Sequence, residues 1–572
     1  MPHLSSLRLP CGLRLSLLCT GLLTALPALA AVPSYRVPAP GQILQQVRPA
    51  PVLPAAPGTV LALPAPAQQA SRSRAPITVR QITVIGNTLL PADFVQATLR
   101  PLEGHTVTLG QLQQAADTLT QALHQRGYPL AYAYLPAQEI RAGQIHLQMV
   151  EPRYDQIRIS PNSRLADSEA RYTLGAAPGA LIRQHTLNRG LLLLNQTPGV
   201  RVAGTLVPGT QPQTSSLNVA VHNRPLLSGS VGVNNYGGNY TGRVQWQGDV
   251  NLRNPFGYGG EIAANGLTTS GGLLHAAGLS LLSPNLWNGL RATLFASWTH
   301  YRLGENFASL DETGRAIQWG GGFSYPILLR PGAVLSSSLN FIQDRFTQQS
   351  GVIPNSATDT ELNLVQWGVN GALAGGDGVS SGSVTVTGGN KVIFGSAAQA
   401  ADAAGPRTAG LFWMGQFQLV RLQTLPVGLR LNAHLLAQVA SKNLDPSQQL
   451  YLGGPQGIMS AAVGSGAGDQ GILARLSLSH RLPLPIPGSL RAAVLLQGGE
   501  VWQYHDFYPG APQPNRLGMA ATGLGLQYHV RGIQCRFDWV HRIGNAANTA
   551  GANQHSELWA TLVVTPGAFV HS

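Results

Sequence analysis

The stretch Leu452–Gly471 reads LGGPQGIMSAAVGSGAGDQG, with glycine at 453, 454, 457, 464, 466, 468 and 471. So many glycines let a backbone enter tight, positive-φ conformations, and they leave too few side chains to build a core element. By itself such a stretch reads as a long surface loop. Its neighbours change that reading. Leu429, Leu431, Ala433 and Leu435 alternate with Arg430, Asn432 and His434 on one side, and strand-patterned sequence resumes on the other. The glycine-rich segment therefore interrupts a run of strands about four fifths of the way along the chain.

The same alternation continues outward in both directions. Val244, Trp246, Gly248, Val250 and Leu252 take one phase and Gln245, Gln247, Asp249 and Asn251 the other. Ile533, Cys535, Phe537 and Trp539 oppose Gln534, Arg536 and Asp538. From Pro225 to the end there is no helical period. Apolar-out, polar-in strands of about ten residues are the signature of a transmembrane β-barrel. A soluble β-sandwich shows the same alternation but needs only about 100 residues, whereas 348 of the 572 residues follow Arg224. Composition agrees. Charged residues make up 11% of the chain and apolar ones 44%, against about 25% charged in soluble domains. The net charge of +13 comes from scattered arginines, since Lys391 and Lys442 are the only lysines. With no basic run, nucleic acid is not an expected partner. Single arginines at polar strand positions suit a hydrated lumen.

The N-terminal part has a different character. Arg8 and Arg14 precede an apolar stretch from Leu15 to Leu26, and Ala28-Leu29-Ala30 offers a cleavage site, so residues 1–30 read as a secretory signal peptide. The apolar stretch is shorter than the ~20 residues a spanning helix needs. Removing it leaves Cys535 as the one cysteine, which excludes a disulfide framework. Residues 31–75 hold a short helix-compatible segment, Pro40-Gly41-Gln42-Ile43-Leu44-Gln45-Gln46-Val47, followed by a Pro/Ala-rich extended linker.

Two small modules come next. In residues 76–152 a strand-like run through Ile77, Val79, Ile82 and Val84 precedes a helix with Leu109, Leu112, Ala115, Ala116, Leu119, Ala122 and Leu123 on one face. Gly127 closes that helix, and strands are predicted over Ala131–Leu135 and Gln144–Val150. Residues 153–224 repeat the plan, with Ile157 and Ile159 opening, a helix through Leu187 and Leu191–Leu194, and a last strand through Leu217, Val219 and Val221.

Several short motifs carry a family resemblance across nearly the whole mature chain. They are Gly127-Tyr128-Pro129-Leu130-Ala131, Tyr134-Leu135-Pro136-Ala137-Gln138, Leu192–Val200, Asn254–Gly259 and Tyr301-Arg302-Leu303-Gly304. Leu452-Gly453-Gly454-Pro455 and Gly468-Asp469-Gln470-Gly471 complete the set. Together they resemble the outer-membrane transporters of two-partner secretion, the hemolysin secretion/activation proteins. That resemblance implies two periplasmic POTRA domains, at 76–152 and 153–224, and a barrel of sixteen antiparallel strands over 225–572. It also implies a plug helix using Gln42, Ile43, Leu44 and Val47. Client contacts fall at Tyr128, Leu130, Tyr134 and Leu135. The loop built from Gly453, Gly454, Pro455, Gly457, Ile458, Met459, Ser460, Ala461, Gly468, Asp469 and Gly471 is expected to fold into the lumen against Gln497 and Gly499. The implied partners are a secreted exoprotein of adhesin or cytolysin type, outer-membrane lipids and the barrel assembly machinery, with no cofactor.

The chain departs from the family pattern in two places. The family's loop tip carries an arginine paired with an aspartate on a barrel strand; here Met459 and Gln497 stand at those positions. Losing one partner strands a buried charge, at a cost of about 3–5 kcal/mol, whereas losing both removes the penalty. The usual terminal aromatic is also displaced, since Pro566 and Gly567 precede Phe569.

No constellation for catalysis is evident. Gly378-Val379-Ser380-Ser381-Gly382 fits a nucleophile-elbow pattern, but a strand pattern follows where a helix is required, so it reads as a turn. No metal-ligand or phosphate-loop spacing occurs. Rival readings are an outer-membrane assembly factor and a passive pore. An assembly factor is expected to carry more POTRA domains and to keep the loop arginine.

Overall fold

The computed structural model describes residues 37–48, 53–62, 76–161, 163–511, 513–544 and 555–566. The signal sequence, most of the Pro/Ala-rich linker and Phe569 lie outside them.

Among the described residues the chain opens with helix α1 (Pro40–Val47) and a two-residue strand β1 (Leu61–Ala62). The first module holds β2 (Pro76–Thr78), β3 (Gln81–Ile85), α2 (Ala92–Leu99), β4 (Thr106–Thr108), α3 (Leu109–Gln125), β5 (Tyr132–Tyr134) and β6 (Gln144–Val150). Helix α3 begins where the sequence can satisfy its orphan amides. Thr108 Oγ1 accepts from Gln111 N at 3.3 Å while Gln111 Oε1 accepts from Thr108 N at 2.8 Å, a capping box. At the other end Gly127, at φ 87°, turns the chain back. The apolar face of α3 covers a sheet of order β3-β6-β5, and Leu112, Leu119, Leu123, Ile145 and Leu147 form the centre. The single opening strand read from Ile77 to Val84 is in fact two. Residues 76–78 pair with 106–108, and 81–85 pair in parallel with 144–148.

The second module contains β7 (Arg153–Ile159), α4 (Asp167–Leu174), α5 (Gln184–Asn195), β8 (Val200–Pro208) and β9 (Thr214–Asn223). Helix α4 was hidden by its polar composition, since Ala170 and Leu174 are its only buried apolar residues. It crosses α5 at Gly190, where a Cβ would lie 2.2 Å from the carbonyl oxygen of Leu174. Gly190→Ala is therefore expected to force the two helices apart and to destabilise this module by about 1–3 kcal/mol. Faster protease cleavage within residues 153–224 of the full-length chain is the measurement.

The two modules are joined to each other and to the barrel. Gln184 N donates to Gly127 O at 2.9 Å, and Arg183 lies over the Tyr128 ring. Arg189 donates to Asn288, Pro326 and Tyr325, while Asn285 Nδ2 donates to Thr173 Oγ1 at 3.0 Å. The Asn254–Gly259 motif forms the turn that meets the second module, with Ala166 N donating to Gly257 O at 2.8 Å.

Sixteen antiparallel strands close the barrel. The first eight are β10 (Leu227–Asn234), β11 (Gln245–Arg253), β12 (Glu261–Thr269), β13 (Leu274–Leu282), β14 (Arg291–Arg302), β15 (Glu312–Arg330), β16 (Ala333–Ser350) and β17 (Thr358–Gly375). Then come β18 (Gly378–Phe394), helix α6 (Ser396–Ala404), β19 (Gly410–Thr424) and β20 (Leu429–Ala440). A hairpin of β21 (Leu450–Tyr451) and β22 (Ala467–Gly468) follows, and β23 (Gln470–Leu482), β24 (Ser489–Trp502), β25 (Arg516–Val530), β26 (Ile533–Ile543) and β27 (Ser556–Val564) complete the wall. Strand β10 pairs with both β11 and β27, so no edge remains. The outward phase is apolar and exposed, as at Trp246, Val250, Phe537 and Trp539, while Asp538 in the inward phase is buried. The all-strand expectation after Pro225 fails at α6, an alanine-rich segment outside the wall where helix propensity acts unopposed. Gly378–Gly382, read as a turn, is the first part of β18, and Ser380 Oγ accepts from Arg421.

Candidate functional site: a loop and a helix inside the barrel

The glycine-rich stretch leaves β20, folds inward and returns at β23. Its base is the β21–β22 hairpin, with Leu450 opposite Gly468 and Tyr451 opposite Ala467. Above it Leu452 N donates to Gly466 O and Gly453 N to Ser465 O, both at 3.0 Å. The chain then doubles back, with Ile458 N donating to Leu452 O at 2.6 Å. This closeness admits no side chain, for a Cβ on Gly457 would sit 2.0 Å from Leu452 O. Gly454 adopts φ 109°, a conformation L-residues rarely take. The glycines therefore encode a compact insert rather than a floppy one.

The tip, Ile458-Met459-Ser460-Ala461, is buried throughout. Ile458, Met459 and Ala461 join Leu473, Leu495, Met519, Ala521, Val540 and Trp559 in one apolar cluster lining the lumen wall. Two hydrogen bonds hold the backbone of Met459 itself. Gln497 Oε1 accepts from Met459 N at 2.7 Å, and Trp559 Nε1 donates to Met459 O at 2.6 Å. The two positions where the family resemblance places an ion pair are thus still in contact, through a neutral amide. Gly499 faces the loop as well, since a Cβ there would lie 2.9 Å from the Leu452 side chain. Cationic groups remain nearby: Arg475 is in register with Gln497 and contacts His434 Nδ1 at 3.1 Å, and Arg536 pairs with buried Asp538 at 2.6 Å.

Asp469 anchors the return of the loop. Its carboxylate accepts from Leu444 N, Gln449 Nε2 and His505 N at 2.9–3.0 Å. Burial pushes this carboxyl up to about 6, against the pull of those three donors. Asp445 lies the other way. Burial opposes its ionisation, but Lys391 at 2.7 Å and the Ser447 amide hold it below the usual carboxylate range. Gly471 has already entered the barrel wall, opposite Gln438 and Val501.

Helix α1 lies in the same lumen. Ile43 packs with Leu274, Tyr301, Leu303 and Phe307, which accounts for the Tyr301–Gly304 motif. Leu44 packs on the next strands of the wall with Phe346, Leu362 and Met414, and Val47 touches both clusters. Gln42 Nε2 donates to Gly464 O at 3.0 Å, so helix and loop touch directly. Gln45 donates to Ser447 O and Gln449 O, and Arg48 pairs with fully buried Asp344 at 3.1 Å.

The residues assigned to client contact divide. Tyr134 is exposed on edge strand β5 beside Tyr132. Tyr128 and Leu135 pack onto the first module's core, and Leu130 packs against the second module's core. All three are half-buried; Leu130, against the second core, and Tyr128, under Arg183, lie where the two modules meet. Trp559, Asp344, Arg48 and Arg475 escaped the sequence reading. Trp559 had a legible signal, because it is an aromatic in the polar phase of a strand whose apolar phase is Leu558, Ala560, Leu562 and Val564.

Comparison with known proteins places this arrangement. A family model described as POTRA domain, ShlB-type, matches residues 77–152, and one described as haemolysin secretion/activation protein ShlB/FhaC/HecB matches residues 213–528. Among curated relatives, heme/hemopexin transporter protein HuxB of Haemophilus influenzae (strain 86-028NP) is 24% identical over 88% of this chain and 89% of its own length. Outer membrane transporter CdiB of Dickeya dadantii is 23% identical over 71% of this chain and 76% of its own. The solved structure of CdiB from Escherichia coli superposes with a TM-score of 0.71 at 19% identity, covering 88% of this chain and 92% of that one. The last likeness is one of fold.

Proposed function

This chain belongs to the haemolysin secretion/activation protein ShlB/FhaC/HecB family of outer-membrane transporters, and we propose that it binds one unfolded exoprotein through its POTRA domains and passes it through the barrel to the cell surface. The barrel is an outer-membrane one with its POTRA domains in the periplasm. The observation that carries the proposal is the doubly filled lumen. A loop and a helix, both held by a few hydrogen bonds and small apolar clusters, occupy the space an extended chain would need. A passive pore has no use for removable contents. On the periplasmic side, β5 offers an open sheet edge flanked by two exposed tyrosines, suited to strand addition by an extended client. No catalytic group is assigned. Folding of the client outside the cell supplies the direction of transport.

The test is a photo-crosslinking residue at Tyr134 of the full-length protein in its own cell. Capture of one large exported chain is the expected result. Capture of assorted barrel precursors would make the protein an assembly factor. No capture, with ion conduction intact, would leave a pore.

A further inference from the structure

The lumen wall beneath the inward loop is basic on one side. Strand β10 leaves the second POTRA domain at the periplasmic face and each later strand reverses, so β24 and β26 start at the periplasmic rim. On β23 to β26 the inward phase is the one that carries Leu473, Leu495, Gln497 and Asp538. Arg475 and Arg481 share that phase on β23, Arg491 on β24 and Arg536 on β26, while Arg430 holds the inward phase of neighbouring β20. Arg481 stands directly opposite Arg491, and Gln527 separates Arg491 from Arg536. Arg430 is opposite Ser479, one inward position above Arg481. Among the described residues, the one carboxylate in the inward phase of these five strands is Asp538, which Arg536 takes at 2.6 Å. We propose that this arginine wall is a docking site for carboxylate-rich segments of an extended polypeptide entering from the periplasm. That the polypeptide is the secreted client rests on the transport reading above.

Like charges directly opposite each other in a sheet are destabilising, yet this wall keeps them together. Among the described residues no ion pair holds Arg430, Arg475, Arg481 or Arg491. Arg491 Nη1 is shielded from water and has no hydrogen-bond partner, which costs free energy until an acceptor arrives. Carboxylates nearer the cell surface do not relieve the excess, because Asp344 is engaged by Arg48, Asp445 by Lys391 and Glu557 by Arg243. The field in this sector is therefore positive, and low-dielectric barrel walls focus it along the lumen. Guanidinium groups hold carboxylates through forked, charge-assisted hydrogen bonds, which an extended chain can exchange one after another as it advances. Lipid headgroups do not reach an inward-facing wall, and arginines spread over four strands suit a chain better than one small anion. The series ends at Arg475, whose Nη1 lies 3.5 Å from Pro455 O of the inward loop. An acidic segment that climbs the wall thus arrives beneath the loop it has to move.

The experiment uses the full-length protein in lipid nanodiscs. Two fluorescent peptides of equal length, oligo-glutamate and oligo-lysine, are titrated against it, and binding is read by anisotropy. Oligo-glutamate is expected to bind about tenfold or more tightly than oligo-lysine. Its affinity should fall as salt rises from about 0.1 M to about 1 M, which shortens the screening length from about 10 to about 3 Å. Arg481→Gln combined with Arg491→Gln should weaken oligo-glutamate binding about tenfold. Arg430→Gln is the second variant, should the double change fail to give the heat-resistant barrel, and it should weaken binding about threefold. Arg315→Gln removes an exposed arginine from the lipid-facing phase of β15, which it shares with Ile317 and Trp319, and should change nothing. Equal binding of the two peptides, an affinity unchanged in the folded wall variants, or an equal loss in Arg315→Gln would each overturn the proposal. None of these outcomes depends on secretion. Peptide binding intact in a protein that exports no partner would count against the transport reading alone.

Discussion

Replacing Met459 by arginine alone is expected to expel the inward loop from its seat. The Met459 side chain is 3% exposed and lies among Ile458, Leu473, Leu495 and Met519. Its strand partner Gln497 is neutral, and Asp538 is already engaged by Arg536. A guanidinium placed there has no counter-charge, and Arg475, in register with Gln497, adds repulsion. A buried charge without a partner costs about 3–5 kcal/mol, more than packing of one small loop can absorb. The single variant should lose the heat-resistant compact form of the barrel on a gel and secrete at least tenfold less. Adding Gln497→Asp supplies the carboxylate and should restore most of both. A harmless single change would end the coupling argument. Two smaller changes bracket it. Gln497→Ala orphans the Met459 amide, a loss of about 1–3 kcal/mol, and Trp559→Phe removes the indole donor to Met459 O while keeping an aromatic ring.

Arg48→Ala is expected to unplug the channel. Asp344 is fully buried, and its only polar partners among the described residues are Arg48 and Gln318. Charge-assisted hydrogen bonds contribute about 1.5–3 kcal/mol. Helix α1 has only eight residues and no intrinsic stability of its own, so its place in the lumen depends on such contacts. Since about 1.4 kcal/mol is tenfold in an equilibrium, the open-to-plugged ratio should rise roughly 10- to 100-fold. Single-channel recording in a planar bilayer reads it as open-state frequency. Asp344→Asn should give a similar rise, and the double change no more than either alone. An unchanged open frequency in Arg48→Ala would show that the apolar contacts of Ile43 and Leu44 suffice.

The barrel was legible because its cause is local. Each strand meets lipid on one side and water or protein on the other, so phase alone marks strands such as β11 and β26. The POTRA helices showed where an apolar face was broad, as in α3, and stayed hidden where it was narrow, as in α4. Helix α6 escaped because alternation says nothing about a segment outside the wall. The loop was legible by its glycines, whose need becomes plain at Gly457. For Trp559 and Asp344 the polar phase marks only a lumen-facing position and carries no record of the partner each meets there.

From the sequence alone came the solvent of each segment: lipid and lumen for the alternating strands, and a water-facing surface with a small core for each POTRA domain. The family resemblance placed Met459 and Gln497, a neutral pair, at the positions where it implies a charged one. Barrel closure decided everything that depends on distance. It set Gln42 against Gly464, Arg48 against Asp344 and Met459 against Trp559, across separations of 100 to more than 400 residues. Such contacts leave no periodic trace, because each is a single meeting across the lumen rather than a repeated environment along a strand.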